Sequence, residues 1–261
     1  MQDITLPAIS LLVTLGVASL VVLVLSGRQT LRGVAVLPSP TEPAPQPHWM
    51  SVLLVLLWVS MQLMSLLRSP TTEIKPPELD DVKVLCAMSA LISLGLGFPL
   101  TTQGPEALSQ LGLRSQEFWS QIRTGVLGFL ASVLPVILAY STTLPWRTTE
   151  NQHGLLQLLS EDASITTLLW IILAAVILAP MLEELMYRVI LQTWLQQVAP
   201  PREALITVAV LFAAVHRLPD AVPLLPLALV LGYVYQQTRS FLAVVILHML
   251  FNATNLTLAL L

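Results

Sequence analysis

Six polar residues of the types used in acid–base chemistry fall within apolar segments of the last third of the chain. They are Glu183, Glu184, Arg188, His216, His248 and Asn252. An ionisable side chain is costly at membrane depth, so such residues usually face a bundle interior or a wet cavity and mark a functional site. The pattern predicts an active site enclosed by membrane helices.

The first motif contains two carboxylates and a guanidinium. Glu184 and Arg188 are four residues apart, which places them above one another on one face of a helix. We expect Arg188 to neutralise Glu184, so that Glu183 has no cation on its own face and lies beside Tyr187. A carboxylate in that situation is suited to act as a general base on a water molecule.

Pro180 precedes the two carboxylates by less than one turn of helix. A proline has no amide N–H, so an α-helix would kink here and leave the carbonyl of Val176 without its partner. Polar backbone at membrane depth is tolerated where it lines a wet cavity. The proline therefore also indicates an enclosed polar site.

The second and third motifs pair Phe212 with His216 and His248 with Asn252, each at a four-residue interval. In one chemistry, Glu183 and His216 hold and deprotonate a water that attacks a peptide carbonyl. His248 and Asn252 then donate hydrogen bonds to the developing oxyanion. In another chemistry, Glu183, His216 and His248 bind a divalent metal such as zinc, which activates the water. The soluble zinc-protease motif HExxH is absent, and the residues leave both chemistries open.

The elements that position these groups are predicted to be membrane helices. The 261 residues are 55% hydrophobic and 10% charged, whereas soluble domains carry about 25% charged residues. A spanning helix needs about 20 mostly apolar residues, and roughly eight segments approach that length. They are residues 6–25, 49–67, 82–100, 124–141, 165–198, 204–215, 223–236 and 241–261. The fifth is too long for a simple span, and the sixth and seventh are short.

Two connecting segments have their own character. Residues 111–123 mix charged and apolar side chains, which predicts an amphipathic helix at the membrane interface with Trp119 at headgroup level. Five prolines (Pro38, Pro40, Pro43, Pro45 and Pro47) predict an extended linker after the first span. We therefore expect an all-α polytopic bundle of about eight transmembrane helices with one interfacial helix.

We expect three regions along this multi-pass protein of the cell membrane. Residues 1–48 hold the first span and the linker, residues 49–160 hold spans two to four and the interfacial helix, and residues 161–261 hold the catalytic core. The net charge of −3 provides no basic patch, so nucleic acid is not an expected partner. The single cysteine, Cys86, excludes an intrachain disulfide and a cysteine zinc cluster.

Taken together and in this order, the three motifs resemble the CPBP family, which contains the type II CAAX prenyl proteases and the bacterial Abi relatives linked to bacteriocin processing and immunity. The resemblance covers roughly residues 171–261. It implies that Glu183 and His216 activate the water, that His248 and Asn252 form the oxyanion site, and that Glu184 and Arg188 have structural or orienting roles. The family commonly has Phe-Arg-Gly where this chain has Tyr187-Arg188-Val189. The family is catalogued as metal-dependent, although a metal-free glutamate mechanism has also been argued for it.

The resemblance implies an intramembrane endopeptidase whose partners are the lipid bilayer and a peptide or lipidated protein substrate. Two other functions fit the same residues. A non-catalytic immunity or scaffold protein could use this fold to bind a partner. A proton-coupled transporter could use buried Glu, Arg and His as a relay, although transporters often show paired broken helices in two repeated halves and Pro180 has no evident counterpart in the first half.

Overall fold

The computed structural model describes residues 5–37, 40, 44–66, 77–113, 117–148 and 154–261. These residues form ten helices and contain no strand, which confirms the all-α prediction. The helices are α1 (Leu6–Leu31), α2 (Trp49–Leu66), α3 (Leu79–Thr101), α4 (Pro105–Gln110), α5 (Phe118–Thr143), α6 (Gly154–Glu161), α7 (Ile165–Leu195), α8 (Pro201–Ala214), α9 (Ala221–Thr238) and α10 (Phe241–Leu260).

Six helices in the described part of the chain are long and apolar enough to cross a membrane: α1, α2, α3, α5, α7 and α10. The predicted count of eight is not confirmed, because α8 and α9 do not belong to this set. Helix α8 has 14 residues, which amounts to about 21 Å at 1.5 Å per residue. That is shorter than the hydrocarbon thickness of about 30 Å.

Helix α9 lies mostly inside the bundle, and α8 packs against it while Ile206 and Val210 on another face of α8 are exposed. Helix α9 packs against α5 and α8, and α10 packs against α5. Leu227, Ala228 and Leu231 of α9 are fully buried in the main core, together with residues of α2, α5 and α7. A short apolar helix such as α9 is stable within the bundle because neighbouring helices, not lipid, cover most of its surface.

Helix α7 is continuous over 31 residues although it contains Pro180. An α-helical turn, Ala179–Glu184, lies between two π-helical stretches, Ile172–Leu178 and Leu185–Gln192. The amide of Ala179 donates to the carbonyl of Ala174, five residues earlier. In this register the carbonyl that faces position 180 belongs to Ala175. The expectation that Val176 loses its partner assumed an α-helical register, in which position 180 faces Val176.

The predicted interfacial helix over residues 111–123 does not form as one helix. Leu111 ends α4, Gly112 turns the chain with φ +77°, and α5 begins at Phe118; residues 114–116 lie outside the described ranges. A Cβ added to Gly112 would lie 1.9 Å from the carbonyl oxygen of Arg239, and the carbonyl of Gly112 accepts from the amide of Phe241. The turn is therefore fixed by the start of α10, a contact that local periodicity does not reveal.

The linker between α1 and α2 is described over residues 32–37, 40 and 44–48, and residues 44–48 have no regular secondary structure. The buried carbonyl of Ala44 accepts a hydrogen bond from Gln197 Nε2 at 3.0 Å, just beyond the end of α7. The carbonyl of Gln46 accepts from Gln103 Nε2 at 2.9 Å. Pro38 and Pro43 lie outside the described residues. The described part of the linker is thus attached to the bundle by its backbone.

Two glycines of α5 determine how closely α10 approaches. A Cβ added to Gly125 would lie 2.6 Å from the carbonyl oxygen of Ala243, and one added to Gly128 would lie 2.7 Å from Leu247 Cδ1. Small residues at such positions let membrane helices pack backbone to backbone. Because His248 follows Leu247 directly, this contact also sets the position of the third motif.

Candidate active site

A buried carboxylate on α7 holds the imidazole of α10. Glu184 is fully buried, and its Oε1 lies 2.8 Å from Nδ1 of His248, which is itself only 3% exposed. An ionised carboxylate can only accept a hydrogen bond, so Nδ1 of His248 carries a proton. The contact joins residues that are 64 positions apart in the sequence and fixes the orientation of the ring.

Arg188 neutralises the same carboxylate, as the four-residue spacing predicted. Its Nε lies 3.1 Å from Oε2 of Glu184, and both side chains are 0% exposed. Its guanidinium carbon lies 4.8 Å from the ring centroid of Phe212, within the range of a cation–π contact. Glu184 and Arg188 therefore form an ion pair that is sealed from solvent.

Glu183 is the accessible carboxylate of the pair. Its side chain is 27% exposed, and its Oε2 lies 3.7 Å from Nε2 of His248. That separation is longer than a direct hydrogen bond. Glu183 and Glu184 are adjacent on α7, yet they lie next to different nitrogens of the His248 ring. Glu184 contacts Nδ1 on the buried side, and Glu183 lies near Nε2 on the accessible side.

Phe212 of α8 is the point where the three motifs meet. Its ring is fully buried and lies 5.2 Å from the ring of Tyr187, 4.9 Å from that of His216 and 5.8 Å from that of His248, measured between centroids. The Tyr187 and His248 contacts are edge-to-face, an arrangement that aromatic rings prefer. Phe212 thus fixes the relative positions of α7, α8 and α10.

His216 lies just beyond the end of α8. Its Nδ1 is 2.7 Å from the carbonyl oxygen of Phe212, which can only accept, so Nδ1 carries the proton and Nε2 is left as the acceptor. Among the described residues, no carboxylate oxygen lies within 4.0 Å of the His216 nitrogens. The structure therefore brings His216 to the same phenyl ring as His248 but does not place it against Glu183.

Asn252 makes a contact that the sequence did not indicate. Its Nδ2 donates to the carbonyl oxygen of Ala175 on α7 at 2.7 Å. The sequence signal for an unpaired carbonyl was Pro180, but it pointed to Val176 and could not identify the side chain that would pair with it. His248 and Asn252 are each attached to α7 through one donor.

Glu183, His216 and His248 do not form a preassembled three-ligand group in the described part of the chain. The described residues contain no group of three or more His, Cys, Asp or Glu side chains that could hold a metal ion. We therefore derive no step through a metal, and metal dependence stays a prediction.

Comparison of the chain with known protein families gives one match, and it covers the segment that forms this site. The family model described as type II CAAX prenyl endopeptidase, Rce1-like, matches residues 165–254. This segment contains all three motifs and confirms the resemblance to the CPBP group. No curated protein and no solved structure gives a significant match. The match implies a peptidase, and the six candidate spans support an integral membrane protein.

Proposed function

We propose that this chain, through its Rce1-like segment, is an intramembrane endopeptidase of the CAAX-protease type. It hydrolyses a peptide bond of a membrane-associated or lipidated substrate, with Glu183 as the general base. One observation carries the proposal. The partly accessible carboxylate of Glu183 faces one nitrogen of His248, while the buried carboxylate of Glu184 fixes the other nitrogen.

The 3.7 Å between Glu183 Oε2 and His248 Nε2 suits a shared water molecule. A water about 2.8 Å from each atom would lie to the side of the line that joins them. Glu183 takes a proton from this water as the water oxygen bonds to the substrate carbonyl carbon, whose π electrons move to the carbonyl oxygen. Under this proposal His216, whose ring contacts Phe212 at the end of α8, accepts a hydrogen bond from the same water at Nε2.

The oxyanion formed in this step needs hydrogen-bond donors. The second N–H of Asn252 and the Nε2–H of His248 provide them. In this step His248 carries a proton on both ring nitrogens and is therefore an imidazolium cation. An electron pair of the oxyanion then re-forms the carbonyl π bond, the C–N bond breaks with its electrons going to nitrogen, and the leaving amine takes the proton from Glu183. The water thus supplies the hydroxyl of the new carboxyl group and the proton of the new amine, and Glu183 returns to its starting state.

Glu184 and Arg188 take no part in proton transfer under this proposal. Both are sealed from solvent, so neither reaches substrate. Their role is to hold His248 at Nδ1 with a carboxylate whose charge is already balanced. A fixed ring does not have to reorganise when charge develops on the substrate, and this is how preorganised sites lower a barrier.

The direct test compares purified wild-type protein with Glu183→Gln on a quenched fluorogenic lipidated peptide in lipid nanodiscs. Loss of a general base typically costs a factor of about 10²–10⁴ in rate, so we expect cleavage by Glu183→Gln to fall to background. Glu203→Gln is the matched control, because Glu203 is an exposed carboxylate on α8, and it should cleave at the wild-type rate. Full activity of Glu183→Gln would end the proposal.

A chelator arm of the same assay addresses the metal. The route described here predicts an unchanged rate after chelation and dialysis. Loss of activity that added zinc restores would instead support the metal set of Glu183, His216 and His248 and overturn this route.

Mass spectrometry of the peptide fragments separates a peptidase from the two other functions. A scaffold protein gives no fragments and keeps partner binding in Glu183→Gln, while a transporter gives pH-gradient-dependent flux.

A further inference from the structure

The carboxamide of Asn252 is attached to a backbone oxygen that α7 cannot pair by its own helical pattern. The π register begins at Ile172, and the amide of Ala179 pairs with Ala174. The next carbonyl in the same register, that of Ala175, faces position 180, where proline has no N–H. Asn252 Nδ2 donates to that carbonyl at 2.7 Å from the adjacent helix α10.

This pairing satisfies two needs. A backbone carbonyl without a partner is costly at membrane depth, and a side chain from a neighbouring helix can satisfy it. A primary carboxamide has two N–H donors in one plane, so anchoring one of them fixes the direction of the other. The anchored amide also loses its rotamer freedom before substrate binds, and that cost is not repeated at each turnover.

We infer that Pro180 is a positioning residue for Asn252. By leaving the carbonyl of Ala175 unpaired, it anchors one N–H of Asn252 and directs the other toward the substrate oxygen. This inference rests on the proposed function in assigning the second N–H to the oxyanion. His248 is prepared in the same way, since Glu184 holds its Nδ1 and leaves Nε2 for the reaction.

The test variant is Pro180→Ala, which places an amide N–H opposite Ala175 and lets α7 pair that carbonyl internally. Pro135→Ala is the matched control, because Pro135 also lies inside a membrane helix but belongs to α5 and not to α7. The side chain of alanine fits a helix interior, so neither replacement introduces bulk.

The first measurement is independent of activity. The chain has three asparagines, so selective ¹⁵N-asparagine labelling gives three side-chain amide pairs, and Asn252→Ala identifies the signals of Asn252. In the wild-type protein we expect one Asn252 proton to be shifted downfield and slow to exchange, whereas exposed Asn255 shows neither property. In Pro180→Ala the shifted proton should move toward the Asn255 position, and Pro135→Ala should leave it in place.

The second measurement is a cycle on the peptide assay. Losing one oxyanion donor costs about 10²–10³ in kcat, and a donor that is present but misdirected should cost about tenfold, with little change in KM. Pro180→Ala should therefore lower kcat about tenfold in the wild-type background. In the Asn252→Ala background, where no amide remains to be directed, it should lower kcat less than about twofold.

Each result of these two measurements supports or overturns the role of Pro180. Equal losses in the two backgrounds would show that Pro180 acts through general structure and would overturn the inference. So would an Asn252 signal that Pro180→Ala leaves unchanged, because the carbonyl would then accept both donors. If Pro180→Ala does not fold, the wild-type spectrum still decides, and an Asn252 amide as free as that of Asn255 refutes the anchor. A wild-type protein that cleaves nothing would refute the proposed function, while the spectra would still test the anchor.

Discussion

Arg188→Leu would leave the carboxylate of Glu184 buried without its guanidinium partner. The two groups are 3.1 Å apart and both are 0% exposed. Removing one partner of a buried pair costs about 3–5 kcal/mol, because the remaining charge is uncompensated. Nδ1 of His248 still donates to Glu184 at 2.8 Å, and leucine retains part of the contact with Phe212. We therefore expect Arg188→Leu to lower the free energy of unfolding by about 3 kcal/mol, the lower end of this range.

The assay is reversible unfolding of the purified protein in mixed detergent, with the free energy of unfolding measured for each variant. The double variant Glu184→Gln/Arg188→Leu removes both charges, so it should be more stable than Arg188→Leu alone. The control is Lys83→Met. Lys83 and Asp80 form a shorter contact of 2.8 Å, but their side chains are 43% and 88% exposed, so this replacement should change stability very little.

Two results would contradict the reasoning. If Arg188→Leu costs no more than Lys83→Met, burial does not determine the strength of the contact. If the double variant is no more stable than Arg188→Leu, the cost does not arise from an uncompensated carboxylate. In either case the division between an orienting Glu184 and a reacting Glu183 would lose its physical basis.

Two further predictions concern the packing of the bundle and the start of α7. Gly125→Ala should destabilise the protein by about 1–3 kcal/mol and lower the cleavage rate, because α10 must move away from the added methyl group. Gly95→Ala should be neutral, since nothing lies within 4 Å of its added methyl group. Thermal unfolding measures the stability of both variants, and the peptide assay measures their cleavage rates. The hydroxyl of Thr167 and, less strongly, the amide and hydroxyl of Ser164 donate to Asp162 and lower the pKa of its carboxyl. The stability that these hydrogen bonds add is fully present above the pKa that Asp162 has in the unfolded chain, and it is lost as pH falls through the lowered pKa of Asp162 in the folded state. Asp162→Asn should therefore lower the melting temperature at pH 7. The difference between the variant and the wild type should vanish in acid.

Local pattern was sufficient for the helices and for contacts within one helix. Apolar runs predicted the six spans, and the four-residue spacing predicted the pairing of Glu184 with Arg188, which the structure contains. The same reasoning could not find the contact between Glu184 and His248, because it joins two helices that are distant in sequence. Periodicity fixes which face a residue lies on, but the partner on the next helix depends on packing.

The unconfirmed span count and the wrong prediction of one helix over residues 111–123 have the same origin. Hydropathy identifies α8 and α9 as apolar, but it does not tell whether lipid or protein covers an apolar helix. Residues 111–123 have amphipathic composition, yet the chain turns at Gly112 because the backbone at Arg239 lies against it. In both cases a long-range contact determines the outcome, and a single sequence carries no direct record of such contacts.

The π-helical stretches on both sides of the carboxylates explain how one long helix can support a polar site. Each stretch changes the backbone pairing, and a side chain takes up a carbonyl in each region. Asn252 pairs with Ala175 before the carboxylates, and the hydroxyl of Thr193 donates to the carbonyl of Arg188 at 3.2 Å after them. π-helical turns often occur at functional sites. Here the Asn252 contact connects α7 to α10 at membrane depth, whereas the Thr193 contact lies within α7 itself. The short α-helical turn between them then presents Glu183 and Glu184 to the two nitrogens of a single imidazole.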